Sequence, residues 1–358
     1  MTSLIVPISL EVKNTPKIVK DDDIWISDGN LIISVASDDT LHLFKCHKSA
    51  LARESPVFEG MFSLPQVSVD DSESFEGLPV VQLIDHLQDV KALLNILYRP
   101  LRLSPKRFSK RSQSAVVGPL RLATKYEMED IRSRLIEMLQ LDWPRTLQEW
   151  DIYQQMMESD LRQREIYDFP WWYPDPVEVI HLGEDLDIPE ILPAAFYQLN
   201  RAFHARSLGY SCDAKPRSSI DMGLLRPQDL ARLLIGRQRL ADMTRDFYWE
   251  LLRLSEDFNK HSCEYTLSRS RNEEAQQACA SAVKAFLQDR YVLPHLMSAG
   301  RDPLVGLKQI STWYLPNWGK KGICSPCQEY MQSRVKEMRR KIWDSLVDCF
   351  EIGKEIEG

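Results

Sequence analysis

The stretch Asp28 to Phe62, DGNLIISVASDDTLHLFKCHKSALARESPVFEGMF, decides the fold. Leu31, Ile33 and Val35 alternate with Ile32, Ser34 and Ala36, and beyond the turn signal Ser37-Asp38-Asp39 come Leu41 and Leu43 at the same spacing. Successive side chains of a strand point to opposite faces, so this period of two predicts a β-hairpin. From His47 the spacing lengthens to that of a helix, with Ala50 and Leu51, then Val57, Phe58, Met61 and Phe62. Ser55 and Pro56 punctuate it: a serine oxygen caps free helix amides, and proline fits the first helical position, which needs no donor. A hairpin that runs straight into two short helices predicts an α+β layer.

Within that stretch, FKCHKSALARESPVFEGMF meets every fixed position of F-x-x-H-[RK]-x-x-L-x-x-x-S-x-[VYF]-F-x-x-M-F, through Phe44, His47, Lys48, Leu51, Ser55, Val57, Phe58, Met61 and Phe62. It resembles the centre of the BTB/POZ domain. The resemblance implies an α+β BTB/POZ domain followed by an all-α C-terminal region, a role in protein-protein interaction, and partner-binding positions at Asn30, His47, Lys48, Phe58, Met61 and Phe62. Many such domains pair an Asp before the first hairpin strand with the basic residue after the His; the matching positions here are Asn30 and Lys48, so the carboxylate is missing, and Asp28 could substitute. The aromatic and Met positions are expected on one helical face, with Phe58 and Phe62 in the core. His47 by itself reads as a satisfied structural residue.

The organisation expected outward from this centre is a leader over 1–20, a BTB/POZ domain over 21–143 and a helical domain over 144–358. The SLIVPISLEV segment in the leader reads equally as an edge strand and as a loose tail. Ser63 to Leu78, with Pro65, Asp70, Asp71 and Gly77, reads as a surface loop, and Pro79 to Leu83 as a strand. Asp85 is placed as the cap of a helix reaching Tyr98, with Val90, Leu93, Leu94 and Leu97 buried. A basic loop carries Lys106, Arg107, Lys110 and Arg111, before helices at Val116–Lys125 and Glu129–Leu141. Past Trp143-Pro144 amphipathic helices take over, at Leu147–Leu161, Val177–Leu186, Glu190–Phe203, Arg226–Leu254, Glu273–Arg290 and Glu329–Phe350. The helical half, with Ile180 to Tyr197, the stretch LARLLIGRQRL at 231–240 with Leu230, and a late C-x-x-C, resembles a large BTB-containing family of mushroom-forming fungi, whose implied role is again interaction without catalysis.

A chain of 358 residues has room for two cores, and apolar and charged shares of 44% and 27% exclude the disordered class. The longest apolar runs are too short for a bilayer span of ~20 residues, and Met1 to Leu10 lacks signal-peptide features, so the expected location is intracellular, cytoplasmic or nuclear. Seven cysteines, an odd number, read as reduced thiols. A net charge of −7 argues against nucleic acid as partner. No phosphate loop, nucleophile elbow or H-E-x-x-H occurs, so no catalytic residue and no cofactor is assigned. The acidic groups Asp21-Asp22-Asp23, Asp70-Asp71 and Glu184-Asp185 are read as turns or helix starts, and Arg334 to Lys341 as a solvated helix face.

One constellation keeps several readings. Cys324-Ser325-Pro326-Cys327, with His261 and Cys263 upstream and Cys279 as a rival ligand, could close a tetrahedral structural zinc site, form a redox pair, or be ordinary thiols. The expected partners are proteins, and self-association through the first domain makes the chain a homo-oligomer. A cullin-type ubiquitin ligase adaptor is the alternative, although Met61-Phe62-Ser63-Leu64-Pro65-Gln66 lacks the glutamate such adaptors carry after Met-Phe. A DNA- or chromatin-associated regulator is the reading from a different class. The aromatic groups Trp171-Trp172-Tyr173, Trp313-Tyr314 and Trp318 read as core anchors.

Overall fold

A computed structural model describes residues 17–64, 74–99, 110–164, 173–207, 220–257, 273–289, 293, 302–315 and 323–354. The chain separates into two compact units, Met1–Leu139 and Gln140–Gly358. The segment Leu4 to Leu10, the acidic pair Asp70-Asp71, His261, Cys263, Trp171, Trp172 and Trp318 lie outside the described residues.

The first unit is built on a five-stranded sheet. Strands β1 (Lys17–Trp25), β2 (Leu31–Ser37), β3 (Thr40–Cys46), β4 (Ser74–Phe75) and β5 (Leu78–Leu83) lie in the order β1-β3-β2-β5-β4. β2 and β3 form the antiparallel hairpin expected from the alternation, with Ile33 opposite Phe44 and Ser37 opposite Thr40. Asp38 closes it at φ 50°, a left-handed conformation that Asp tolerates better than most residues. β2 is the middle strand, and both its faces are covered as well: Leu31, Ile32, Ile33 and Val35 are all fully buried, and Ser34 with them. Gly29 admits the chain to β2 where a Cβ would lie 2.9 Å from Lys45 Cγ and 3.0 Å from the Cys46 carbonyl.

Two strands were not legible as such. β1 pairs parallel to β3, starting within the segment read as a leader, and Asp21 to Asp23 belong to it rather than to a turn. Its register shifts between Lys20 and Trp25. Asp is a poor strand former, and the irregularity hides the alternation. The acidic residues are held there by cations: Lys91 lies 2.7 Å from Asp21, and Arg99 3.4 Å from Asp23. Burial alone would raise the Asp21 carboxyl, but the Lys91 ammonium and two backbone amides hold it below its ordinary value. β4 is a two-residue strand inside the segment read as a loop.

Helices α1 (Lys48–Glu54), α2 (Pro56–Ser63), α3 (Leu87–Tyr98), α4 (Lys110–Lys125) and α5 (Glu129–Asp142) complete the first unit, whose boundary falls inside α5. α3 is capped by the His86 backbone and not by Asp85, whose carboxylate instead takes Lys125 at 2.5 Å and the Tyr126 hydroxyl. Its buried residues are Val90, Leu93, Leu94 and Ile96; Leu97 is half-buried. α4 begins at Lys110, inside the segment read as a basic loop.

The second unit is helical: α6 (Leu147–Arg164), α7 (Pro176–Asp185), α8 (Leu192–Ser207), α9 (Pro227–Asp257), α10 (Glu273–Leu287), α11 (Pro303–Gln309), α12 (Ser325–Asp344) and α13 (Leu346–Cys349), with a π turn at Ile310–Tyr314 after α11. The largest side chains of its core are aromatic. Trp150 meets Tyr197 edge-on at 5.0 Å and Trp343 at 5.6 Å, and Phe196 stacks on Phe350 at 5.4 Å. Tyr173 is buried among them, 5.9 Å from Tyr153. Charges are buried too. Arg339, read as part of a solvated face, is 9% exposed; it makes two bonds to Asp151, the shorter 2.6 Å, and one to the Leu304 carbonyl at 3.1 Å. Glu184 and Asp185 end α7 rather than start a helix, and pair with Arg226 and Arg232.

Candidate functional site

The motif residues gather where β3 ends and α1 begins. Asn30 Oδ1 accepts the backbone N–H of Lys48 at 2.8 Å, the first free amide of α1, while the Asn30 backbone N–H donates to the Cys46 carbonyl at 2.9 Å. The neutral amide thus does the capping a carboxylate would do at this position. Asp28 does not replace it beside Lys48. Its exposed carboxylate lies 3.4 Å from His47 Nε2 instead.

His47 is satisfied on every side. Its backbone N–H donates to the Tyr98 hydroxyl oxygen at 2.8 Å, and its Nδ1 lies 3.2 Å from the same oxygen. A hydroxyl that accepts from the backbone can donate to Nδ1, which leaves the ring proton on Nε2, facing Asp28. Burial pushes the Tyr98 phenol up, so it stays a neutral clamp that fastens the end of α3 to the strand-helix junction. These contacts hold the strand-helix junction together.

α2 is fastened on one side and free on the other. The Ser55 hydroxyl accepts from Phe58 N–H at 3.2 Å, capping the helix, and donates to the Tyr126 carbonyl at 2.5 Å. Phe58, 3% exposed, stacks on Tyr126 at 4.8 Å and on Phe62 at 6.0 Å. Burial and the Asp85 carboxylate raise the Tyr126 phenol well above its ordinary value. The expectation of one apolar face is therefore corrected. Phe58 is core, Phe62 is only half-buried beneath the Lys48 ammonium at 5.8 Å, and Val57 and Met61 turn outward, 40% and 37% exposed. Val57 and Met61 are one turn apart, and Leu64 follows at the helix end, 66% exposed. Two large apolar side chains on one face of a short helix, with a third just past its end, are an uncovered surface. At the sheet's edge β1 presents a second exposed apolar side chain group through Ile18, 51% exposed.

Residues 33–142 match the BTB/POZ domain. The BTB/POZ domain is a non-enzymatic protein-protein interaction module, and in this chain it is followed by a helical region. No curated protein matches the chain. Among the described residues no helix is long and apolar enough to cross a membrane.

The exposure of Val57 and Leu64 was not legible in the sequence. The pattern marks apolar identity at Val57 and ends before Leu64, whereas the choice of which face is covered is made by Tyr126, 71 residues after Ser55 in the chain. In the second unit the structure brings Cys324 and Cys327 together with Cys279, the residue that had been a rival for a place in the cluster.

Proposed function

We propose that the BTB/POZ domain of this chain mediates self-association through the outward face of α2 and the exposed edge of the sheet. The observation that carries the reading is Val57 and Met61, apolar and uncovered on a helix whose other face is anchored by Ser55 and Phe58, with exposed Leu64 just past its end. Burying these side chains against a second copy removes apolar area from water twice over, because a two-fold interface uses the same patch on both partners. A standard interface needs roughly 1,200–2,000 Å² in total, and the β1 edge extends the patch toward that area. Asn30, His47 and Lys48 brace the junction behind α2, so they act by holding its orientation.

The helical half serves as a second interaction surface, a role supported by its resemblance to the fungal BTB-containing family. A cullin-type adaptor role lacks support, since the glutamate expected after Met61-Phe62 is absent. Light scattering of the full chain at micromolar concentration tests the reading. A dimer that the double substitution Val57→Asp with Met61→Asp converts to a folded monomer supports it. A strictly monomeric wild type, or a dimer indifferent to the double substitution, overturns it.

A further inference from the structure

We propose that Cys279, Cys324 and Cys327 form a structural zinc site that ties α10 to the start of α12. The three Sγ atoms lie within 4.8 Å of one another, and Cys279 Sγ is 3.9 Å from Cys324 Sγ. All three residues are buried, at 1%, 7% and 0% exposure. They come from two segments that the chain separates by 45 residues. Buried cysteines that serve only as small apolar residues have no reason to converge on one point.

The spacing between the sulfurs fits a shared ion. A disulfide requires about 2.05 Å between sulfurs and a restricted dihedral. Tetrahedral zinc with Zn–S bonds of about 2.3 Å sets its sulfurs about 3.8 Å apart, along the edges of the tetrahedron. The observed 3.9 Å matches the second figure. Soft thiolates select zinc over the hard cations that oxygen ligands hold.

Local structure supplies the rest. Cys324 is the N-cap of α12, in an extended backbone conformation, and Cys327 sits in the first turn, with Pro326 between them. This C-x-x-C spacing aims both sulfurs at one point from a single turn. The free amides and the positive end of the 20-residue helix favour anionic sulfur at that position. Cys279 supplies the third sulfur from α10, four residues before the fully buried Val283. Three thiolates are three of the four donors of a tetrahedral ion. The site is buried, and it stands independently of self-association by the first unit.

The full chain, purified under reducing conditions without chelator, should carry one zinc per chain by elemental analysis. Chelator-stripped protein titrated with cobalt(II) should show the near-ultraviolet thiolate-to-cobalt charge-transfer band and the visible bands of a tetrahedral site. Cys279→Ser, Cys324→Ser and Cys327→Ser should each abolish stoichiometric metal, while Cys46→Ser and Cys349→Ser, at the other described buried thiols, should retain it. If a ligand variant does not fold, the cobalt titration of the wild type still decides. Reduced, folded wild type that takes up neither zinc nor cobalt overturns the proposal, as does full zinc content in folded Cys279→Ser protein.

Discussion

The two units solve the same packing problem with different materials. In the first, the centre is aliphatic: Leu31, Ile32, Ile33 and Val35 on the middle strand, closed by Phe44. Its ion pairs, such as Lys91 with Asp21 and Lys125 with Asp85, sink the carboxylate but leave the ammonium a third or more exposed. In the second, the cation goes inside as well, beside the aromatics. Arg339 is bonded to Asp151, Arg201 to Asp302, and Tyr197, fully buried, donates to Asp302 at 2.8 Å and accepts the Leu304 amide at 3.1 Å. A sheet satisfies its backbone through its own ladders and asks only for apolar filling. Helices of unequal length leave ends and carbonyls facing the core, and those ends need polar partners.

The contrast is breakable by mutation. Trp25 is the one tryptophan of residues 1–139, and the other eight lie in 140–358, so tryptophan fluorescence reports chiefly on the second unit. Phe44→Ala leaves a cavity against the central strand, an effect of roughly 3–5 kcal/mol for a buried aromatic. It should lower the unfolding midpoint seen by circular dichroism for the strands. A fluorescence midpoint that falls by the same amount would show that the two cores unfold as one.

Between pH 5 and pH 8 a pH effect should arise in the second unit. Asp229, in the first turn of α9, is fully buried, with Arg232 Nη1 at 3.2 Å. Burial, and then the charge of Glu184, raise its carboxyl from 3.8 to about 7. The folded state therefore holds a proton that the unfolded chain releases. The stability from this group is full below about 3.8 and is lost as pH rises through about 7. The ceiling on the loss is about 4 kcal/mol, at 1.36 kcal/mol per pKa unit. Asp229→Asn should flatten the decline between pH 5 and pH 8, measured by denaturant unfolding; an unchanged slope would place the sensitivity elsewhere.

Breaking one buried ion pair tests the claim that charge is structural there. Arg339→Met removes the partner of Asp151 and a donor to the Leu304 carbonyl. Asp151 is 29% exposed and keeps Lys308 at 3.2 Å, so the cost should fall near the low end of the roughly 3–5 kcal/mol for such breaks. A loss under about 1 kcal/mol would match an exposed pair and refute the contrast.

The smallest effect belongs to Phe62. Half-buried, it should cost about half of the 1.5–3 kcal/mol of a fully buried side chain when cut to alanine, well short of the cost of Phe58→Ala. Equal losses at the two positions would mean that α2 has no free face.

The sequence by itself determined the hairpin, the paired helices after it and most helix positions of the second half. Those features rest on local periodicity: Leu31, Ile33 and Val35 declare a strand, and Met331, Val335, Met338 and Ile342 recur one turn apart and are all buried in α12. Only tertiary structure decided β1, because its three aspartates oppose a strand locally and two of them, Asp21 and Asp23, are held by Lys91 and Arg99 from α3 and its end. It also decided that Arg339 is inside and that Met61 is outside, since burial depends on what a distant segment places opposite. The cysteine cluster divides along the same line. Cys324 and Cys327 announce themselves by spacing, but nothing local to Cys279 says that the fold will bring its sulfur to theirs across 45 residues.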